Sequence, residues 1–129
     1  MKLLLDTHIF LWYISGDKQL PSEWEAILRD TSNAVYVSVV SIWEASIKYH
    51  LGKLSLPSPP EIYLPEQRER HLIASLVLEE TALRHRALLP MLHRDPFDRI
   101  LICQALQNDL TFVTVDAAIQ TYPINMLLQ

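Results

Sequence analysis

Glycine is nearly missing from this chain, with two in 129 residues, and cysteine occurs once. So little glycine, spread among 50% hydrophobic and 20% charged residues, excludes a low-complexity or disordered protein. A single cysteine excludes an internal disulfide. Cys103 lies in the apolar run Ile100-Leu101-Ile102-Cys103-Gln104-Ala105-Leu106 and reads as a buried, inert thiol. No apolar run approaches the roughly 18 residues of a spanning helix, and the N-terminus lacks a signal-peptide cleavage pattern. A cytoplasmic protein with no membrane partner is expected. Positive charge is also short: 11 Lys and Arg face 15 Asp and Glu, a net charge of -4. That argues against binding nucleic acid by bulk charge. It leaves a nuclease open, since an acidic metal pocket brings several negative charges and bound cations reverse them locally.

What is present suits one compact domain over residues 1–129, large enough to bury roughly two-thirds of its unfolded surface. Lys2-Leu3-Leu4-Leu5 reads as a short strand covered on both faces, because its leucines do not alternate with polar residues. Asp6 closes it. A helix follows to Ser15 with Gly16 as its stop, and a second runs from Pro21 to about Asp30. Val35-Tyr36-Val37 predicts the second strand. Ser38 or Ser41 then caps a helix to about His50, with Val40, Trp43, Ile47 and Leu51 as its buried stripe and Glu44 one position off it.

Four prolines between 57 and 65 mark a loop, with a short polar helix expected over Glu66 to His71. Leu76-Val77-Leu78 predicts a third strand, and Glu79 to Leu88 a helix. Asp95-Pro96-Phe97-Asp98 is a helix start, with Asp95 as N-cap, and that helix reaches about Asn108. Thr111 to Val115 is a strand ending at Asp116, and Ile124 to Leu127 a short last one. Strands alternating with helices imply a parallel α/β sheet of four or five strands.

Ligands of such sheets bind beyond the carboxyl ends of the strands. Asp6, Glu44, Asp98 and Asp116 all fall at that rim. One like-charged pair at about 4 Å costs on the order of 4 kcal/mol at an effective dielectric of 20. Several such pairs rival a domain's whole stability of roughly 5 to 15 kcal/mol, so either some protonate or a cation neutralises them. Oxygen ligands favour Mg²⁺ or Mn²⁺, and phosphodiester hydrolysis is the natural chemistry. Thr7, Ser41 and Thr114 stand near the acids as orienting hydroxyls. Lys48, Lys53, Arg94 and Arg99 flank them as candidate RNA contacts, with a solvated basic rim as the alternative.

Bland roles compete for each acid: a strand end for Asp6, an i,i+4 pair with Lys48 for Glu44, helix caps for Asp95 and Asp116, a favourable helix dipole for Asp98. The histidines form no ligand pattern, with His93 the nearest candidate. Trp12, Trp24 and Trp43 recur at core-facing helical positions, which suits packing better than base stacking.

Four stretches together carry a resemblance: Leu3 to His8, Ser38 to Glu44, His93 to Arg99, and Phe112 to Asp116. The chain resembles the PIN-domain ribonucleases, and within them VapC-like toxins of bacterial toxin-antitoxin pairs. The resemblance implies a three-layer α/β/α sandwich with a mainly parallel central sheet. It also implies Mg²⁺- or Mn²⁺-dependent endoribonuclease activity at Asp6, Glu44, Asp98 and Asp116, a cognate antitoxin partner and a homodimer. Two other readings remain open. A phosphoacceptor receiver-like signalling domain suits the length, although Asp6 is followed by Thr7 and no lysine follows Lys53. A catalytically silent PIN-like interaction module is the second.

Overall fold

A computed structural model describes residues 1–88 and 95–127. Four strands, β1 (Lys2–Leu5), β2 (Ala34–Ser38), β3 (Ala74–Leu76) and β4 (Thr111–Val113), form one parallel sheet in the order β3-β2-β1-β4. β1 is therefore central. Leu3 pairs with Val35 on one side and Thr111 on the other. Being covered on both faces, its leucines face two cores, as the uninterrupted Leu3-Leu4-Leu5 run requires.

Leu3 and Leu5 join Ile9 and Phe10 of α1 (Thr7–Ser15), Trp24 and Leu28 of α2 (Ser22–Arg29), Ala45 of α3 (Val39–His50) and Leu64 of α4 (Pro60–Arg70). Leu4 points the other way, into Leu101, Ile102 and Ala105 of α5 (Pro96–Gln107), with Phe112, Ile119 and Tyr122. The result is helix layers on both faces of the sheet, the expected three-layer sandwich. Two 3-10 segments, Glu80–Leu88 and Ile119–Thr121, complete the described elements.

Local signals explain most element ends. Gly16 takes a left-handed φ of 67° and stops α1. Ser38, rather than Ser41, caps α3, its side chain accepting from the Val40 N–H. Pro21 lies just before α2 rather than inside it.

Five expectations need correction here. The helix placed at Glu66 to His71 starts at Pro60 and tolerates Pro65 in its interior. The third strand lies at Ala74–Leu76, two residues earlier than expected, and residues 80–88 form a 3-10 rather than an α-helix. In place of a last strand over 124–127, Phe112 and Met126 make one isolated parallel bridge. Most consequential is the rotation of α3: Trp43 is 57% exposed, Ile47 and Leu51 are exposed as well, and Glu44 is only 3% exposed. Hydrophobic spacing identified a stripe, but Ala45, Ser41 and Glu44 face inward instead.

Candidate active site

Every strand of a parallel sheet ends at the same rim, and the acids collect there because the chain turns into a helix or loop just beyond it. Asp6 follows β1 directly and its N–H continues the ladder, donating to the Val113 carbonyl at 2.9 Å. It is the N-cap of α1. One carboxylate oxygen, Oδ1, accepts from the Thr7 N–H at 2.8 Å, and Oδ2 accepts from the Thr114 hydroxyl at 2.7 Å. Burial pushes the Asp6 carboxyl above its ordinary range. The Thr114 and Thr7 hydrogen bonds and the nearby His8 pull it back, while the Glu44 charge adds to the upward push.

Glu44 is held by both of its oxygens. Thr7 Oγ1 donates to Oε1 at 2.7 Å, and the Lys48 ammonium meets Oε2 at 2.8 Å. Thr7 Oγ1 also lies 2.9 Å from Ser41 Oγ. A hydroxyl has one proton and a carboxylate only accepts, so the Thr7 proton goes to Glu44 and the Ser41 proton to Thr7. Burial would lower the Lys48 ammonium, but the Glu44 hydrogen bond and charge, helped by Asp95 and Asp98, raise it overall. The bland i,i+4 pairing of Glu44 is thus real, yet it occurs inside the acidic site.

Asp95 caps α5, accepting from the N–H groups of Phe97 and Asp98 at 2.9 and 3.3 Å. Asp98, in the first turn, is buried. Asp116 donates its N–H to Thr114 Oγ1 at 3.1 Å and accepts from the Ala118 N–H at 2.9 Å. Thr114 therefore ties Asp6 and Asp116 to one hydroxyl, as Thr7 ties α1 to Glu44.

Asp6, Glu44, Asp95, Asp98 and Asp116 line one pocket of about 400 Å³, with Lys48 as its cation. Hollows elsewhere are chemically mixed, such as the one between Glu25, Arg29 and Asp30. Among the described residues five carboxylates face one ammonium, and carboxylates, as hard oxygen donors, suit a divalent cation that prefers oxygen. Among the described residues, no three His, Cys, Asp or Glu side chains already close around a single point. The acids share a pocket while standing apart within it.

Three expected contacts fare differently. Arg99 is buried in α5 and is not among the residues that line the pocket. Lys53 is exposed and outside the lining. Arg94 and His93 lie outside the described residues. The sequence assigned Trp12 to packing and gave His8 and Val115 no role, yet all three line the pocket. The signal for two of them was there: His8 and Trp12 are four apart on a helix that begins at the first acid.

A family model described as the PIN domain matches residues 3–124, nearly all of the chain. This chain belongs to the PIN domain family. The PIN chain is 35% identical over 65 residues to a ribonuclease, VapC16, of Mycobacterium tuberculosis; the match covers 50% of this chain and 46% of that protein. It thus spans about half the length of the curated relative it matches. Two solved structures share the PIN fold across nearly the whole of both chains. VapBC2 from Rickettsia felis, bound to a DNA fragment from its promoter, gives a TM-score of 0.72 at 16% identity, covering 99% of this chain and 98% of the other. DNA-bound VapBC from Salmonella typhimurium gives 0.69 at 18%, covering 98% and 97%. Among the described residues, no helix of this PIN protein is long and apolar enough to cross a membrane.

Proposed function

We propose that this PIN-domain protein is a Mg²⁺- or Mn²⁺-dependent endoribonuclease, the toxin of a toxin-antitoxin pair. The observation that carries the reading is the shared pocket of Asp6, Glu44, Asp98 and Asp116 at the strand ends. Its likeness to a protein named as a ribonuclease, and to chains solved as VapBC, supports the same direction. A receiver-like phosphoacceptor does not agree with the family match, and a silent interaction module would not need so many acids in one pocket.

In this reading the four acids would hold the cation, which would supply an activated water and charge neutralisation at the phosphate. Thr114 and Thr7 hold the carboxylates of Asp6 and Glu44 by hydrogen bonds at the pocket's edge. Asp95 contributes mainly as the cap that starts α5 and aims Asp98. Lys48, which lines the pocket, would meet a phosphate oxygen when RNA displaces its pairing with Glu44. Attack by water on phosphorus, with departure of the 3′-oxygen, leaves a 5′-phosphate and a 3′-hydroxyl. A single domain, a cytoplasmic setting, a homodimer and a cognate antitoxin that covers the groove complete the proposal.

Purified protein incubated with RNA and Mn²⁺ tests it. Cleavage by wild type but not by Asp6→Asn is expected, and growth arrest on expression should follow the same pattern. Equal cleavage by both proteins would assign the activity to a contaminant.

A further inference from the structure

The pocket's charge creates a difficulty for any RNA-binding role. Its lining holds five carboxylates, and among the described residues Lys48 is the only lysine or arginine there. The net charge of the chain is -4. Affinity for a polyanion therefore needs a source besides bulk cations, and the pocket offers one. Trp12 is half-buried: it packs on the core beneath α1 and also lines the pocket. His8, exposed and one turn earlier, stands with its ring centroid 6.2 Å from that of Trp12 and the planes tilted by 52°.

We infer that Trp12, with His8 beside it, is the wall on which one RNA base stacks while the adjoining phosphodiester faces the carboxylates. This rests on the nuclease reading and adds to it a residue that recognises substrate. Asp6 caps α1, and Trp12 lies six residues on, about 9 Å along the axis at 1.5 Å per residue. A single nucleotide spans such a length from phosphate to base. Aromatic stacking accepts any base and suits single-stranded RNA, whose bases are free to splay onto a side chain. Trp43 is more exposed but leans edge-on against Phe97 at 5.0 Å and lies outside the lining.

The test uses full-length protein carrying Asp6→Asn, which binds without cutting, and a single-stranded RNA oligonucleotide spanning a mapped cleavage site. A second set of oligonucleotides carries one abasic nucleotide at each position flanking the cut. Adding Trp12→Leu should weaken binding of intact RNA between about five-fold and a hundred-fold, and Trp12→Phe should restore most of it. One abasic position should impose a similar loss on protein with Trp12 and almost none on the Leu variant. If no abasic position weakens binding to the Asp6→Asn protein that retains Trp12, the inference is overturned without any need for the Trp12 variants to fold. If instead wild type cuts no RNA and Asp6→Asn binds none, the nuclease reading fails first and the inference with it.

Discussion

Glu44 and Lys48 are joined by a 2.8 Å ion pair within one turn of α3, yet one is 3% exposed and the other 38%. The pair thus spans the boundary between the protein interior and the pocket mouth. Removing the outer partner leaves an inner carboxylate with the Thr7 hydroxyl as the donor that remains to it from this pair of contacts.

Lys48→Met should accordingly destabilise the metal-free protein by about 1 to 2 kcal/mol, less than for a fully buried pair because the ammonium is partly solvated. Urea denaturation in chelator measures it. Saturating Mn²⁺ should shrink the difference, since a bound cation takes over the neutralisation of Glu44. A difference that persists unchanged in Mn²⁺ would separate Lys48 from the cation site.

Asp6 predicts a pH dependence of definite sign. Its folded carboxyl titrates above the ordinary value of 3.8, so between those two values the folded state holds a proton that the unfolded state has lost. Stability therefore falls as pH rises through that window, by up to about 1.4 kcal/mol per pH unit. Asp6→Asn, which carries no charge, should lack this slope in metal-free buffer, and its melting temperature should equal or exceed that of wild type near neutral pH. Parallel pH profiles for the two proteins would contradict the burial penalty.

Thr114→Val removes the hydroxyl that donates to Asp6 and accepts from the Asp116 N–H. Leaving these groups unsatisfied should cost about 1 to 3 kcal/mol in stability. It should also move the acidic limb of the cleavage profile to higher pH, because the lost hydrogen bond holds the Asp6 carboxyl down. Thr114→Ser should restore both. A pH profile unmoved in the Val variant would show that Asp6 is not the group titrating in that limb.

Mn²⁺ at a hundred-fold excess over its dissociation constant should stabilise wild type by about 2.7 kcal/mol and Asp6→Asn much less. Calorimetric scans with Mn²⁺, Mg²⁺ and chelator give the comparison. An identical gain in both proteins would place the cation elsewhere.

Much of this site could be read directly from residue order. An acid after Leu3-Leu4-Leu5 and a Pro at the start of α5 are local signals that coincide with element ends, whereas the β-branched run before Asp116 overran β4, which stops at Val113 rather than Val115. The orientation of α3 was not readable, because spacing reveals that an apolar stripe exists and not what covers it. Trp43, Ile47 and Leu51 share a face that the described residues leave exposed, whereas Glu44 turns inward because Thr7 and Lys48, from α1 and the next turn, satisfy it. Those partners exist only after folding. β3 was displaced for a related reason: its exposed Ala74 and Ser75 give no alternation, and backbone pairing with β2 alone sets its place.

The position of β1 at the centre of the sheet also affects timing during synthesis. Its partner β4 begins only at Thr111, and Thr114, which holds Asp6, lies 108 residues away from it. On a translating ribosome the first strand therefore waits, exposed on one edge, until almost everything described here has emerged. Asp6 and Asp116 cannot meet before then, so a shorter nascent chain lacks the complete pocket. Whatever the pocket does to its target, it does only after residues 111–116 have left the ribosome and folded onto β1.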